Sequence, residues 1–157
     1  MTEFVPPEDH AARRAAITAD LRAKTGITDE MIEQVVREFY HRVRDDALLG
    51  PVFAARITDW EPHLQRMFAF WSSVTLMTGI YHGQPMRPHL SLPVDAAHFD
   101  RWLGLFRQTA RDLCPPNAAA AFIARAEMIA QSIEMGIATV NGVRLAPGQR
   151  FTNPDLV

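Results

Sequence analysis

Four pieces of one stretch decide the fold: WEPHLQRMFAFW (Trp60 to Trp71), GIYHGQP (Gly79 to Pro85), HLSLP (His89 to Pro93) and HFDRWLGLF (His98 to Phe106). The first is a helix signal. Asp59 is a good N-cap, and Pro62 falls in the first turn, where a missing N–H costs little. Trp60, Leu64, Met67, Phe68, Phe70, Trp71, Val74 and Met77 follow, and Gly79 ends the run. Apolar residues cover more than half the circumference of this helix, so it should be enclosed. From Gly79 to Pro93 glycine and proline are too frequent for a long helix, although Met86 to Ser91 can make one short helical turn. Asp95 then caps a helix carrying Phe99, Trp102, Leu103, Leu105, Phe106, Thr109, Ala110 and Leu113, closed by Pro115-Pro116. His63 and His89 thus stand in apolar company on either side of an interrupted loop.

Upstream, Thr28 is an N-cap, with Asp29 and Glu30 in a first turn where acids complement the helix dipole. Ile32, Val35, Val36, Phe39, Tyr40 and Val43 recur at helical spacing, so one face of that helix is buried. Before it, residues 8–24 form an Ala-, Arg- and Leu-rich helix with a weak apolar stripe, stopping at Gly26 and preceded by a loose arm at residues 1–7. Gly50-Pro51 should break the second helix and present Phe53 from a short connecting turn. Downstream, Asn117 should cap a last helix with Phe122, Ile123, Ala126, Ile129, Ala130, Ile133 and Ile137 inward, and after Asn141 the composition turns to that of a tail. No segment alternates with period two for long enough to make a strand. The expectation is an all-α chain of five or six helices: an N-terminal extension (1–27), one domain (28–140) and a C-terminal tail (141–157).

At 157 residues with 48% hydrophobic and 22% charged residues, the chain suits a single globular domain with a real interior. A net charge of -2 gives no basic field for nucleic acid or anionic lipid. No segment reaches the roughly 18 consecutive apolar residues of a membrane span, and the N-terminus lacks the apolar core of a signal peptide. A lone cysteine, Cys114, cannot form an intramolecular disulfide, which suits a reducing compartment, so a cytoplasmic location is expected.

An imidazole such as that of His89 can bind a metal through one nitrogen if its other N–H finds a backbone carbonyl to fix the tautomer. The phenol of Tyr40, the imidazole of His63 and the indole of Trp102 are each hydrogen-bond donors. Converging in a dry pocket, they could hold something bearing partial negative charge. The same residues also suit a plain core, with two aromatics each satisfying one polar tip and a histidine on a helix surface. Phosphate-loop, HExxH, CxxC and nucleophile-elbow patterns are absent, the intervals between His82, His89 and His98 fit no familiar zinc pattern, and Asp45-Asp46 and Asp59-Glu61 read as solvated acids at helix ends.

From about Ile32 to Ile137 the chain resembles the truncated haemoglobins, and among them group III. The resemblance rests on many short matches in order: Phe39-Tyr40 with Val43, the Leu49 to Phe53 run, Trp60 with His63, Phe70-Trp71, Thr78 to Pro85, His89 to Pro93, His98 to Phe106, and Ala126 with Ile129-Ala130 and Ser132. Lack of a Gly-Gly pair between helices is a further group III feature. The resemblance implies a globin-like two-over-two helical sandwich around haem b (iron protoporphyrin IX). His89 would be the proximal iron ligand, Tyr40, His63 and Trp102 the distal polar set, and Phe53, Met67, Phe70 and Trp71 pocket walls. Tyr81 and Arg87 are the candidates near the haem propionates. Met67 departs mildly from the aliphatic residue usual in relatives. The implied function is binding of dioxygen and related diatomic gases, with turnover of nitric oxide or peroxide by an external, unidentified reductant as an extension. Donors from Tyr40 and Trp102 would slow release and favour tight binding over transport. A haem-free helical sensor or interaction module is the alternative from another class.

Overall fold

A computed structural model of the chain describes residues 7–156, and all its regular elements are helical. They are α1 (Pro7–Thr25), α2 (Asp29–Asp45), α3 (Gly50–Ala54), α4 (Trp60–Leu76), α5 (Ala96–Leu113) and α6 (Pro116–Val140), with short 3-10 turns at Arg87–His89 and Pro154–Leu156. Apart from Pro7, the expected N-terminal arm lies outside the described residues. Among those described, no helix is long and apolar enough to cross a membrane.

Helix α2 pairs with α4, α5 pairs with α6, and α2 crosses α5, giving two layers of two helices. Its N-cap is Thr28, whose Oγ1 accepts from the Met31 N–H at 3.1 Å. The anticipated face, Ile32, Val35, Val36, Phe39, Tyr40 and Val43, is buried throughout. At the crossing an aromatic ladder joins three helices. Phe106 of α5 stacks on Trp71 of α4 at 4.8 Å and on Trp102 at 5.6 Å, while Phe39 of α2 points an edge at Phe106 and Trp102. Such offset-stacked and edge-to-face geometries exploit the ring quadrupole and fix orientation as well as burying area.

Several boundaries differ from expectation for local reasons. Gly50-Pro51 does not end α2, which stops at Asp45; it starts α3, because the fixed proline φ suits a first helical turn and the missing N–H would have been unpaired there anyway. Phe53 therefore lies on a short helix. Asp46 is not a solvated acid: its side chain is buried, accepting from the Leu48 and Leu49 N–H groups and from Arg101. Helix α4 ends at Leu76, before Gly79, with Met77 in the left-handed region at φ 55°. From α1, the Thr18 hydroxyl donates to the Leu76 carbonyl at 2.8 Å, satisfying one of the acceptors freed at that end. Helix α6 starts at Pro116, so Asn117 lies inside its first turn and does not cap it.

The C-terminal segment folds back onto the body. Phe151 is 1% exposed and packs with Val94, Ile137 and Ala138. The Ala96 N–H donates to the Phe151 carbonyl at 2.8 Å, and the Asn153 N–H to the Asp95 carboxylate at 3.1 Å. The Phe151→Ala variant should therefore lose roughly 3–5 kcal/mol of stability through the cavity it leaves. Urea unfolding checks this: a midpoint close to that of the parent protein would show that the segment contributes nothing to the core.

Candidate functional site

Between the two helical layers lies a cavity of about 510 Å³ whose surface is mostly apolar. That volume lies within the range of small-molecule and cofactor sites. Nine of the ten residues singled out from the sequence line it: Tyr40, Phe53, His63, Met67, Phe70, Trp71, Tyr81, His89 and Trp102. They come from α2, α3, α4, the loop after α4 and α5. The tenth, Arg87, shares the 3-10 turn with His89 but is not part of the cavity wall.

His89 is positioned by its turn. Its Nδ1 pairs with the Pro85 carbonyl, and its backbone N–H donates to the Met86 carbonyl at 3.0 Å. A carbonyl can only accept, so Nδ1 carries the proton and Nε2 keeps its lone pair free for a metal. Burial pushes the His89 imidazole below its ordinary pKa, outweighing the Pro85 bond, so the ring stays neutral near pH 7. A neutral ring with one committed nitrogen is the form that ligates iron.

His63 faces the same cavity from the first turns of α4. Its ring meets Tyr40 edge-on at 5.1 Å and Trp60 at 5.7 Å. Its Nε2 is the buried side-chain polar atom left without a partner among the described residues. Burial first, then the charges of Arg66 and His89, lowers its pKa to about 4. Tyr40, 7% exposed, has its phenol pushed well above the ordinary range by burial alone, so it remains a proton donor at every physiological pH. The Trp102 ring, held by Phe39 and Phe106, forms the third wall of this polar side.

Sequence reasoning missed two cations in the wall, Arg56 and Arg66. Arg56 donates to the Ser91 hydroxyl at 3.0 Å and to the Ser91 carbonyl at 2.9 Å, joining the segment after α3 to the His89 turn. Arg66 forms no salt bridge among the described residues. Its spacing held the signal, since Arg66 is three residues after His63, next to Met67 and one turn before Phe70, on one helical face. His98 also reaches the wall, but its Nδ1 accepts the Asp95 N–H at 3.2 Å and so completes the cap of α5. Among the described residues no three metal-ligating side chains converge, and His82, His89 and His98 do not meet as a triad.

A flat, largely apolar group held by one imidazole nitrogen, with further polar donors in the same cavity, would match these walls. The fold and the site define a globin. Residues 24–133 match the family described as bacterial-like globin. The chain is 33% identical over 113 residues to the group 3 truncated hemoglobin ctb of Campylobacter jejuni, spanning 69% of this chain and 89% of that relative. It is 39% identical over 70 residues to the group 1 truncated hemoglobin GlbN of Nostoc commune, spanning 44% and 58%. The crystal structure of the group III truncated hemoglobin from Campylobacter jejuni superposes with a TM-score of 0.64 at 31% identity, covering 78% of this chain and 95% of that one. The chain belongs to the bacterial-like globins, as a truncated haemoglobin of group III.

The unpartnered His63 Nε2 makes a stability prediction for the ligand-free protein. Its folded-state pKa of about 4 lies below the ordinary 6.5, so the unfolded chain takes up this proton first as pH falls. His63 therefore costs stability increasingly from pH 6.5 down to 4. Replacing it with leucine should raise stability at pH 7 by about 1 kcal/mol, because a buried unmatched polar atom is removed, and should shrink the loss between pH 6.5 and 4. Urea titrations of both proteins at several pH values test this; parallel curves with no offset would show that the imidazole is solvated.

Proposed function

We propose that this chain binds haem b in the cavity, with the His89 Nε2 as the axial ligand, and holds dioxygen or a related diatomic gas beside Tyr40, His63 and Trp102. The observation that carries this reading is a pair of half-buried, neutral imidazoles sharing one apolar cavity, one with Nδ1 committed to Pro85 and the other with a buried, unpartnered Nε2. A helical packing module has no use for such an arrangement, since each unmet polar atom costs stability. Family membership supports the cofactor. When bound, haem supplies an iron atom with one open coordination position.

The protein's own groups then divide the work. His89 would hold the group through its Nε2 and stays neutral because it is partly withdrawn from water. Phe70, Trp71, Met67 and Phe53 line the walls and exclude water, which strengthens every hydrogen bond made inside. Arg66, a cavity-lining cation without a salt bridge among the described residues, suits a haem carboxylate better than Arg87 does; Tyr81 lines the same cavity. The Tyr40 phenol and Trp102 indole, with His63 beside them, would donate hydrogen bonds to a diatomic ligand held in the cavity. Each such bond slows release by about ten- to a hundredfold. Slow release suits chemistry on the held gas better than delivery. Turnover of nitric oxide or peroxide draws electrons from an external reductant, which we take to be a separate protein or small-molecule partner. The lone Cys114 supports a cytoplasmic setting.

Two substitutions test the reading. The His89→Gly protein should lose the five-coordinate ferrous absorption spectrum expected of the unsubstituted protein with haem; a variant that kept it would remove His89 as the ligand. The Tyr40→Phe protein should release dioxygen about ten- to a hundredfold faster in stopped-flow measurements, the worth of one hydrogen bond in a dry pocket, and an unchanged rate would mean that the phenol points elsewhere. Purified protein that is colourless and refuses added haemin would favour a haem-free sensor or interaction module instead.

A further inference from the structure

The chain between α4 and α5 carries His89 on a single 3-10 turn, yet that turn is held in a defined place. Two structures anchor the segment on either side of it, and both lie after residue 133, where the family match ends. The first is Gly136 of α6. A Cβ at this position would come within 2.9 Å of the Met86 sulfur and 3.1 Å of a Leu90 methyl, so the residues flanking the His89 turn sit directly on the helix backbone there. The second is the C-terminal strap, residues 143–153. Arg150 pairs with Glu134 of α6 at 2.7 Å and with Asp100 of α5 at 2.8 Å, and donates to the Ala96 carbonyl at 3.3 Å. Glu134 is 6% exposed, a buried carboxylate whose charge is matched by this one arginine. Next to Arg150, the Phe151 carbonyl and the Asn153 N–H hold Ala96 and Asp95. Beneath them Val94 packs on Phe151, with Leu92 and Phe99 against the same cluster, and all three of Leu92, Val94 and Phe99 also line the cavity.

We infer that the strap, through the Arg150–Glu134 pair, is a positioning device for the proximal histidine: it fixes the Leu92 to Ala96 end of the segment while Gly136 seats the Met86 to Leu90 end. Arg150 and Glu134 touch neither the cavity nor His89, so they act through the backbone they hold. This rests on the assignment of His89 as the haem ligand.

The test uses the full chain with Arg150→Gln and Glu134→Gln made together, since removing the arginine alone would leave a charge buried and could unfold the protein. Two readouts are taken. Haemin transfer to an excess of apomyoglobin should be about tenfold faster than in the unsubstituted protein, the scale of losing a group that orients a metal ligand. Amide hydrogen exchange at Leu90, Leu92 and Val94 should accelerate while that at Val35, Val36 and Phe39 of α2 stays unchanged, a local effect that general destabilisation would not produce. Restoring Glu134 together with Arg150→Lys should recover most of both. Transfer within twofold of the parent rate, or equal acceleration of all amides, overturns the inference. Failure of the haem assignment looks different: the unsubstituted protein takes up no haemin, or His89→Gly retains it, and the strap then has no ligand to position.

Discussion

Phe106 sits between two indoles. It stacks on Trp71 and on Trp102, with the edge of Phe39 closing the group, so α2, α4 and α5 meet through one set of rings. Each of these helices also contributes to the cavity, and Trp71 and Trp102 belong to both core and wall. The crossing of the layers and the shape of the site are therefore one constraint. Interiors pack at crystal-like density, so a change on the core side of such a ring is felt on its cavity side.

Against those apolar walls the polar groups are few, and their protonation follows from where they are buried. Tyr40 keeps its proton and both imidazoles shed theirs, because burial disfavours the charged form of each. The two histidines differ in their second nitrogens. Pro85 engages the Nδ1 of His89, whereas the Nε2 of His63 has nothing opposite it. One backbone carbonyl thus orients the first imidazole, and the second is left without a hydrogen-bond partner.

Much of this was legible in the sequence, because the helix faces carry strong periodic patterns. The buried face of α2 and the apolar surfaces of α4 and α5 follow from spacing and capping residues, and nine cavity residues were reachable from motif order. Punctuation was harder to read. Gly50-Pro51 stops one helix or starts another depending on which end is already satisfied: the Asp46 N–H already bonds the Val43 carbonyl at the end of α2, and the Asp46 carboxylate accepts from the Leu48 and Leu49 N–H groups ahead of α3. The cavity cations were missed because an arginine on a helix signals solvent unless its tertiary partners are known. The strap was missed for the opposite reason: Gly, Pro and polar residues read as a tail, and the one buried ring, Phe151, carries no periodicity to announce it.

Helix α4 gives way to α5 without a full helix between them, and His89 is carried by that bridge. A histidine in mid-helix would inherit its place from one rigid rod. Here its surroundings are attached separately to α6 at Gly136, to the segment after α3 through Arg56 and Ser91, and to the strap through Asp95 and Ala96. Attachments that share one task can be thermodynamically coupled, so the effects of losing two of them need not equal the separate losses added together. The place of one imidazole is thus shared among positions far apart in the chain, and variation at those positions should be correlated rather than independent.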